Sequence, residues 1–323
     1  MAKLLIYNPS NDMALASGQR QYMPPKQIQE MERRMARFPE TYADQDDVVL
    51  TDWNESYQQI CQRAGKELTP APWGWSLAIK QRLLKIGVPE ALMPTDAELE
   101  RWRLLSSRKT AAQYIQRLLQ EFHTKEKEPA LVGEEMSFYT TTDPVNQLHG
   151  NHIFKSPWSS SGRGVFTGTN TPRTIERLEG FLRKQGGFLA DRYYDKILDC
   201  ALEFEISPQG EVIFLGYSVF NTEGTGRYGN NFVESKGQLR RRILAAMGQS
   251  PLAESLLDRL VEYHKKSLSE IFGSQYHGPV GIDMLVVNGE TPDSPPRIHP
   301  CIEINLRMNM GIAAIKKYQK NAK

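Results

Sequence analysis

The stretch His152–Phe166, HIFKSPWSSSGRGVF, decides how the rest of the chain is read. It predicts a short strand through Ile153 and Phe154 that ends on Lys155, then a loop of serine and glycine, then an apolar restart at Val165. A loop of this composition exposes backbone N–H groups with little side-chain bulk around them, so it can fold over phosphate oxygens. Lys155 adds a positive charge from the strand and Arg163 a second from the loop. Taken alone, the stretch reads equally well as a structural hairpin.

Two later stretches shift that balance. Gly278–Val287, GPVGIDMLVV, predicts a strand carrying one acid, Asp283, in an otherwise apolar run. Cys301–Gly311, CIEINLRMNMG, places Glu303, Asn305 and Arg307 at alternate positions. A period of two sends these three to one face of a strand and Ile302, Ile304 and Leu306 to the other. Three polar groups side by side on a core strand require partners or a ligand. The carboxylates of Asp283 and Glu303 with the amide oxygen of Asn305 suit Mg²⁺, which takes hard oxygen ligands and bridges to substrate phosphates; Mn²⁺ is an alternative. The competing reading is a set of structural ion pairs in which Arg307 neutralises the acids.

A lysine and glycine-rich loop upstream, with an acid and E-x-N-x-R downstream, resembles the ATP-grasp superfamily over roughly Ser106–Gly311. The resemblance implies an ATP-grasp fold, part α/β and part α+β, preceded by a Rossmann-like α/β domain. The implied boundaries are 1–105 for the preceding domain and 106–323 for the ATP-grasp domain, with a lid at about 151–191. On the phosphates it implies Arg108, Lys155, Ser160, Ser161, Gly162, Arg163 and Gly164. Ser107-Arg108 stands where the family often has Asp-Lys, with Lys109 in reserve. Asp191, Arg192 and Tyr193 (with Tyr194 beside them) occupy the hinge that receives adenine, although the family often has Glu at the position of Asp191. Asp199 is the implied ribose ligand. Asp283, Glu303 and Asn305 are the implied metal ligands, and Arg307 with Asn305 the catalytic pair.

The reaction class implied is Mg²⁺-dependent ligation of a small carboxylate to an amine through an acyl phosphate made with ATP. A small-molecule kinase on the same fold and a non-catalytic nucleotide-binding module are the alternatives. Neither the carboxylate nor the amine is specified by the residues.

Composition narrows the partners. At 323 residues and 40% hydrophobic the chain can bury a sizeable core. A net charge of +2 with interspersed signs makes no electrostatic case for nucleic acid or membrane. Cys61, Cys200 and Cys301 lack metal-ligand spacing and read as buried thiols in a reducing compartment. Ala14-Leu15-Ala16 mimics a signal cleavage site, but the apolar run before it is too short and polar, and no run nears the roughly 18 residues that span a bilayer. The expected location is the cytoplasm, with oligomeric state left open.

Along the rest of the chain, Leu4–Tyr7 predicts a strand opening into the polar loop Asn8–Asp12, NPSND, at the end of a sheet where α/β folds place ligands. Ile213–Phe220 predicts a strand leading into Asn221–Asn231, which reads equally well as a polar loop over the site or as an exposed turn; the expected acceptor region lies between NPSND, Tyr217–Asn231 and Arg307. Val48–Leu50 predicts a second strand. Helices are expected after Pro24-Pro25 (with Met35 on the inner face), after an Asn54 cap, from Pro72, after a Thr95–Glu98 capping box, after Ser107, from Pro172 and from Pro251.

Overall fold

The computed structural model describes residues 2–123, 130–159, 164–223 and 227–322. Its first part alternates strands and helices: β1 (Lys3–Ile6), α1 (Asn11–Ser17), α2 (Lys26–Arg34), β2 (Val48–Val49), α3 (Tyr57–Ala64), β3 (Thr69–Pro72), α4 (Leu77–Lys85) and α5 (Asp96–Leu105). The strands form a parallel sheet in the order β2-β1-β3. β1 is central and buries Leu4, Leu5 and Ile6.

Several expectations are corrected at this level. β3 is a strand although its sequence is TPAP; it lies at the sheet edge, where proline costs no ladder hydrogen bond. α3 is capped by Ser56, not Asn54, because Gln59 completes a reciprocal capping box with it. α4 starts at Leu77 on a Ser76 cap. α2 ends at Arg34, which leaves Met35 exposed. The Thr95 box forms as expected.

Next come α6 (Arg108–Glu121), β4 (Ser137–Tyr139), β5 (His152–Lys155), β6 (Val165–Gly168), α7 (Pro172–Gln185) and β7 (Phe188–Arg192). The four strands make a small sheet in the order β4-β7-β5-β6, and Phe154, Phe166, Leu178 and Phe188 form its core with α7. β5 is central, so the strand that ends on Lys155 is held from both sides.

The last part contains β8 (Lys196–Ile206), β9 (Val212–Glu223), β10 (Arg227–Asn231), α8 (Lys236–Ala246), α9 (Pro251–Phe272), β11 (Gly278–Val287), β12 (Arg297–Asn305) and α10 (Met310–Asn321). Its strands form an antiparallel sheet in the order β10-β9-β8-β11-β12. Among the described residues, the expected strand Ile213–Phe220 lies within β9, whereas the expected polar loop Asn221–Asn231 is instead largely the end of β9 and β10, paired as a hairpin. α6, α8 and α9 pack on one face of this sheet and α10 lies across the other. Pro300 sits in β12 at the sheet edge, where the register slips between Asp283–Glu303 and Leu285–His299. The apolar face joins Cys200, Leu202, Phe204, Ile282, Met284 and Ile304 to Tyr114, Ile115 and Leu118 of α6 in the largest core, which also takes Leu99 and Trp102 of α5. No helix among the described residues is long and apolar enough to cross a membrane.

Candidate functional site

Strand register assembles the polar face. Asp283 lies directly opposite Glu303 across the antiparallel β11–β12 pair, and Ala201 and Ser218 continue that row into β8 and β9. The neighbouring row runs Gly216, Glu203, Gly281, Asn305. Asn305 donates from Nδ2 to Asp283 Oδ2 at 3.1 Å, which turns its amide oxygen to other partners. Burial and then the neighbouring Glu303 push the Asp283 carboxyl up to about 8. Burial works against ionisation of Glu303 too, but Arg108 and Lys155 hold its carboxyl below the usual carboxylate range.

The two cations come from other elements. α6 begins at Arg108 after its Ser107 cap, and this guanidinium is almost wholly buried. Arg108 Nη1 donates to the Ser156 carbonyl and to Ser159 Oγ, both at 2.7 Å, and Nη2 donates to Glu303 Oε1 at 2.6 Å. Arg108 therefore braces the root of the Ser/Gly loop against the acid strand. Gly164 closes that loop: its carbonyl accepts from the Ser156 N–H at 2.9 Å, its φ is +66°, and a Cβ there would overlap the Ser156 hydroxyl. Ser160, Ser161, Gly162 and Arg163 lie outside the described residues.

Lys155, at the end of β5, is buried and reaches the Ile302 carbonyl at 3.4 Å. Burial lowers its ammonium below the usual lysine range against the pull of Glu303, and the Arg108 charge adds to that lowering. Although Lys155 stands at a strand end as expected, its ammonium is enclosed. A buried cation facing two acids and beside a second cation suits a multiply charged anion carrying a divalent ion.

At the hinge between β7 and β8, Asp191 is buried. Its Oδ1 accepts from the Arg192 N–H at 2.8 Å and its Oδ2 lies 3.1 Å from His299 Nε2. Tyr193 is exposed, and its N–H is already given to the Asn151 carbonyl at 3.0 Å. Arg192 is half exposed. Asp199 is buried between Lys196 Nζ at 2.6 Å and Thr222 Oγ1 at 2.7 Å, so a ribose hydroxyl would join an existing network.

Two further residues belong to this site, one from the loop expected near Arg307 and one that sequence reasoning passed over. Asp12, in the first turn of α1, pairs with Arg307. Of the NPSND loop it alone meets Arg307: Asn8 is spent on the backbone of Gly74 and Ser10 on Glu32. The structural reading in which Arg307 neutralises Glu303 is not what the geometry holds, because Glu303 pairs with Arg108. The second residue is Glu203, only 1% exposed, which accepts from Asn309 Nδ2 at 2.8 Å. A side chain at Gly281 or Gly311 would overlap it. Burial pushes its carboxyl up to about 7. The alternation of Glu203 with Glu205 in β8 was the available signal, but nothing in it separates the buried acid from its half-buried neighbour.

Among the described residues no three His, Cys, Asp or Glu side chains cluster as a metal cage. Asp283, Glu303 and Asn305 nonetheless fit Mg²⁺, which binds through one or two carboxylates together with substrate phosphates.

No family model matches the sequence, and no curated protein matches it. Among solved structures the chain is similar to the biotin carboxylase of Campylobacter jejuni in a β-γ-ATP complex, at 13% identity over 98% of this chain and 71% of that one, with a TM-score of 0.50. It is also similar to D-alanyl-alanine synthetase A of Vibrio cholerae, at 10% identity, 99% and 94% coverage and a TM-score of 0.47. A third is the N5-carboxyaminoimidazole synthetase of Staphylococcus aureus complexed with ADP, at 12% identity, 98% and 77% coverage and a TM-score of 0.44. With its parallel sheet, its small β5-centred sheet and its antiparallel sheet bearing the acids, the chain has the ATP-grasp fold.

Proposed function

We propose that the protein is an ATP- and Mg²⁺-dependent ligase that joins a small carboxylate to an amine. The observation that carries this reading is the convergence of Lys155 from β5, Arg108 from α6, and Asp283, Glu303 and Asn305 from one sheet face, with Arg307 just beyond β12. In this reading Lys155 meets the nucleotide phosphates, with Arg108 as brace and second cation. The divalent ion, when bound, offsets charge on the phosphates, and Asp283, Glu303 and Asn305 hold it. Asp191 to Tyr193 and Asp199 lie toward the adenine and ribose.

In the first step a carboxylate oxygen attacks the γ-phosphorus, and ADP leaves with the bridging oxygen. In-line transfer of this kind is mostly positioning and charge neutralisation. An amine then attacks the acyl phosphate, phosphate leaves, and the nitrogen loses a proton, so an amide, ADP and phosphate result. Arg307 faces the transferred group.

Hydroxylamine trapping tests the reading. The protein, ATP, Mg²⁺ and a set of small carboxylates are incubated with hydroxylamine, which captures an acyl phosphate as a hydroxamate. A hydroxamate formed with ADP supports the ligase. A stable phosphorylated product without hydroxamate points to a kinase, and no turnover with any carboxylate points to a binding module.

A further inference from the structure

Asp12 is the charged group at the cleft that the proposed chemistry leaves without a role. Its carboxylate takes Arg307 along one edge, with Nε at 3.0 Å from Oδ1 and 3.1 Å from Oδ2, and Nη2 at 2.8 Å from Oδ2. Arg307 Nη1 donates to the Met308 carbonyl at 3.1 Å. Both side chains are mostly enclosed, at 14% and 13% exposure. A guanidinium carries five N–H donors in a planar fork, and these contacts leave the outer donors of Nη1 and Nη2 unused. The cleft beside the pair is lined by Asp12, Ser106, Ser159, Glu303, Asn305 and Arg307.

The charges around Arg307 explain why the pairing matters. Arg307 lines the same cleft as Glu303, and Asp283 lies directly opposite Glu303 across the β11–β12 pair; these are the two acids proposed to hold the divalent ion. Without Asp12 the guanidinium has no stronger partner than those two, and it would compete with the cation for their oxygens. A neutral group at position 12 would therefore cost cation affinity, although Asp12 touches no proposed ligand.

We propose that Asp12 is a positioning residue that holds Arg307 off Asp283 and Glu303, keeping these acids open to the divalent cation and turning the free donors of Arg307 toward the cleft. This rests on the reading of the metal site given above. It also makes the N-terminal sheet part of the catalytic apparatus, because α1 supplies the restraint.

The test uses Mn²⁺ as probe, titrated into the full chain held in excess over ADP and followed by water-proton relaxation enhancement. Asp12→Asn should weaken Mn²⁺ binding by about tenfold or more, within the usual range of coupling between sites. Asp12→Glu should stay near the parent, and Asp12→Asn with Arg307→Gln should recover parental affinity, because the competitor is gone. Unchanged affinity in Asp12→Asn, or no recovery in the double variant, overturns the proposal. Should Asp12→Asn melt below the assay temperature, Arg307→Gln alone decides: it should bind Mn²⁺ at least as tightly as the parent, and weaker binding overturns the proposal. A parent with ADP that shows no enhancement refutes the metal site itself, and the inference with it, whereas a parent that binds while the variants disobey the pattern refutes only the role of Asp12.

Discussion

Arg108 and Glu303, 195 residues apart in the chain, meet at 2.6 Å with the guanidinium buried. The same guanidinium bonds the carbonyl and hydroxyl that root the Ser/Gly loop, so one side chain ties the small sheet to the acid strand. Arg108→Met should cost about 3–5 kcal/mol, because it leaves a half-buried carboxylate without its partner. Adding Glu303→Gln should recover a large part of that loss. Urea unfolding of the two variants measures it, and equal destabilisation in both would assign the cost to the loop contacts instead.

Lys155 gives a different pattern. Its ammonium is enclosed and burial already works against its charge, so Lys155→Met should leave the ligand-free melting temperature unchanged or higher. The shift produced by ATP with Mg²⁺ should shrink by the equivalent of a tenfold or greater loss in affinity, about 1.4 kcal/mol. Thermal melting with and without ligand reads both. An undiminished ligand shift would remove Lys155 from the phosphate site.

The pH dependence of stability should carry the mark of Glu203. Its folded carboxyl titrates at about 7, above its unfolded value, so the folded state holds this proton more tightly. The stability this contributes is fully present below the unfolded value and is lost as pH rises through about 7. Unfolding free energy should thus fall between pH 5 and pH 8, by up to about 1.4 kcal/mol per unit for one group. Asp283, raised to about 8, acts in the same direction and carries the decline toward the alkaline end. Glu203→Gln should flatten the profile and raise stability at pH 8; stability that rises across this window in the parent would refute the assignment.

Gly311, at the start of α10, packs directly on the Glu203 carboxyl and the Ser218 hydroxyl. Gly311→Ala should destabilise by about 2 kcal/mol or more, since overfilling a tight site displaces its neighbours. At an exposed helical position the same change stabilises by roughly 1 kcal/mol. Chemical denaturation gives the sign directly.

Much of the acid face was legible because period-two alternation in CIEIN and a single acid in GPVGIDMLVV leave few ways to arrange Asp283, Glu303 and Asn305 on paired strands, although Arg307, expected on the same strand face, lies just beyond the end of β12. The fold-level reading followed from the order of those motifs with the Lys155 stretch. What escaped it had physical causes. β3 hid behind two prolines that only an edge strand tolerates. α8 carried a visible Ser235–Gln238 capping box, but Gly237 and a run of arginines masked its apolar stripe of Leu239, Ile243 and Leu244. The NPSND loop was expected near Arg307, but which of its residues would pair with it was not legible, because Asp12 is an unremarkable acid in a turn until the sheets are packed together. Arg108 was taken as a phosphate ligand from the family resemblance; its bracing of the loop depends on contacts far along the chain.

The Arg307–Asp12 contact spans 295 residues, and Lys320 of α10 reaches back to the carbonyl of Glu40 across 280. Closing such loops costs entropy before any contact repays it. As the chain is made, the parallel sheet, the β5-centred sheet and α9 can each form while β12 and α10 are still absent. The cleft cannot. Until β12 and Arg307 follow, a chain whose earlier parts are folded still lacks the site, and the cleft comes into being only when α1 and the segment after β12 dock together.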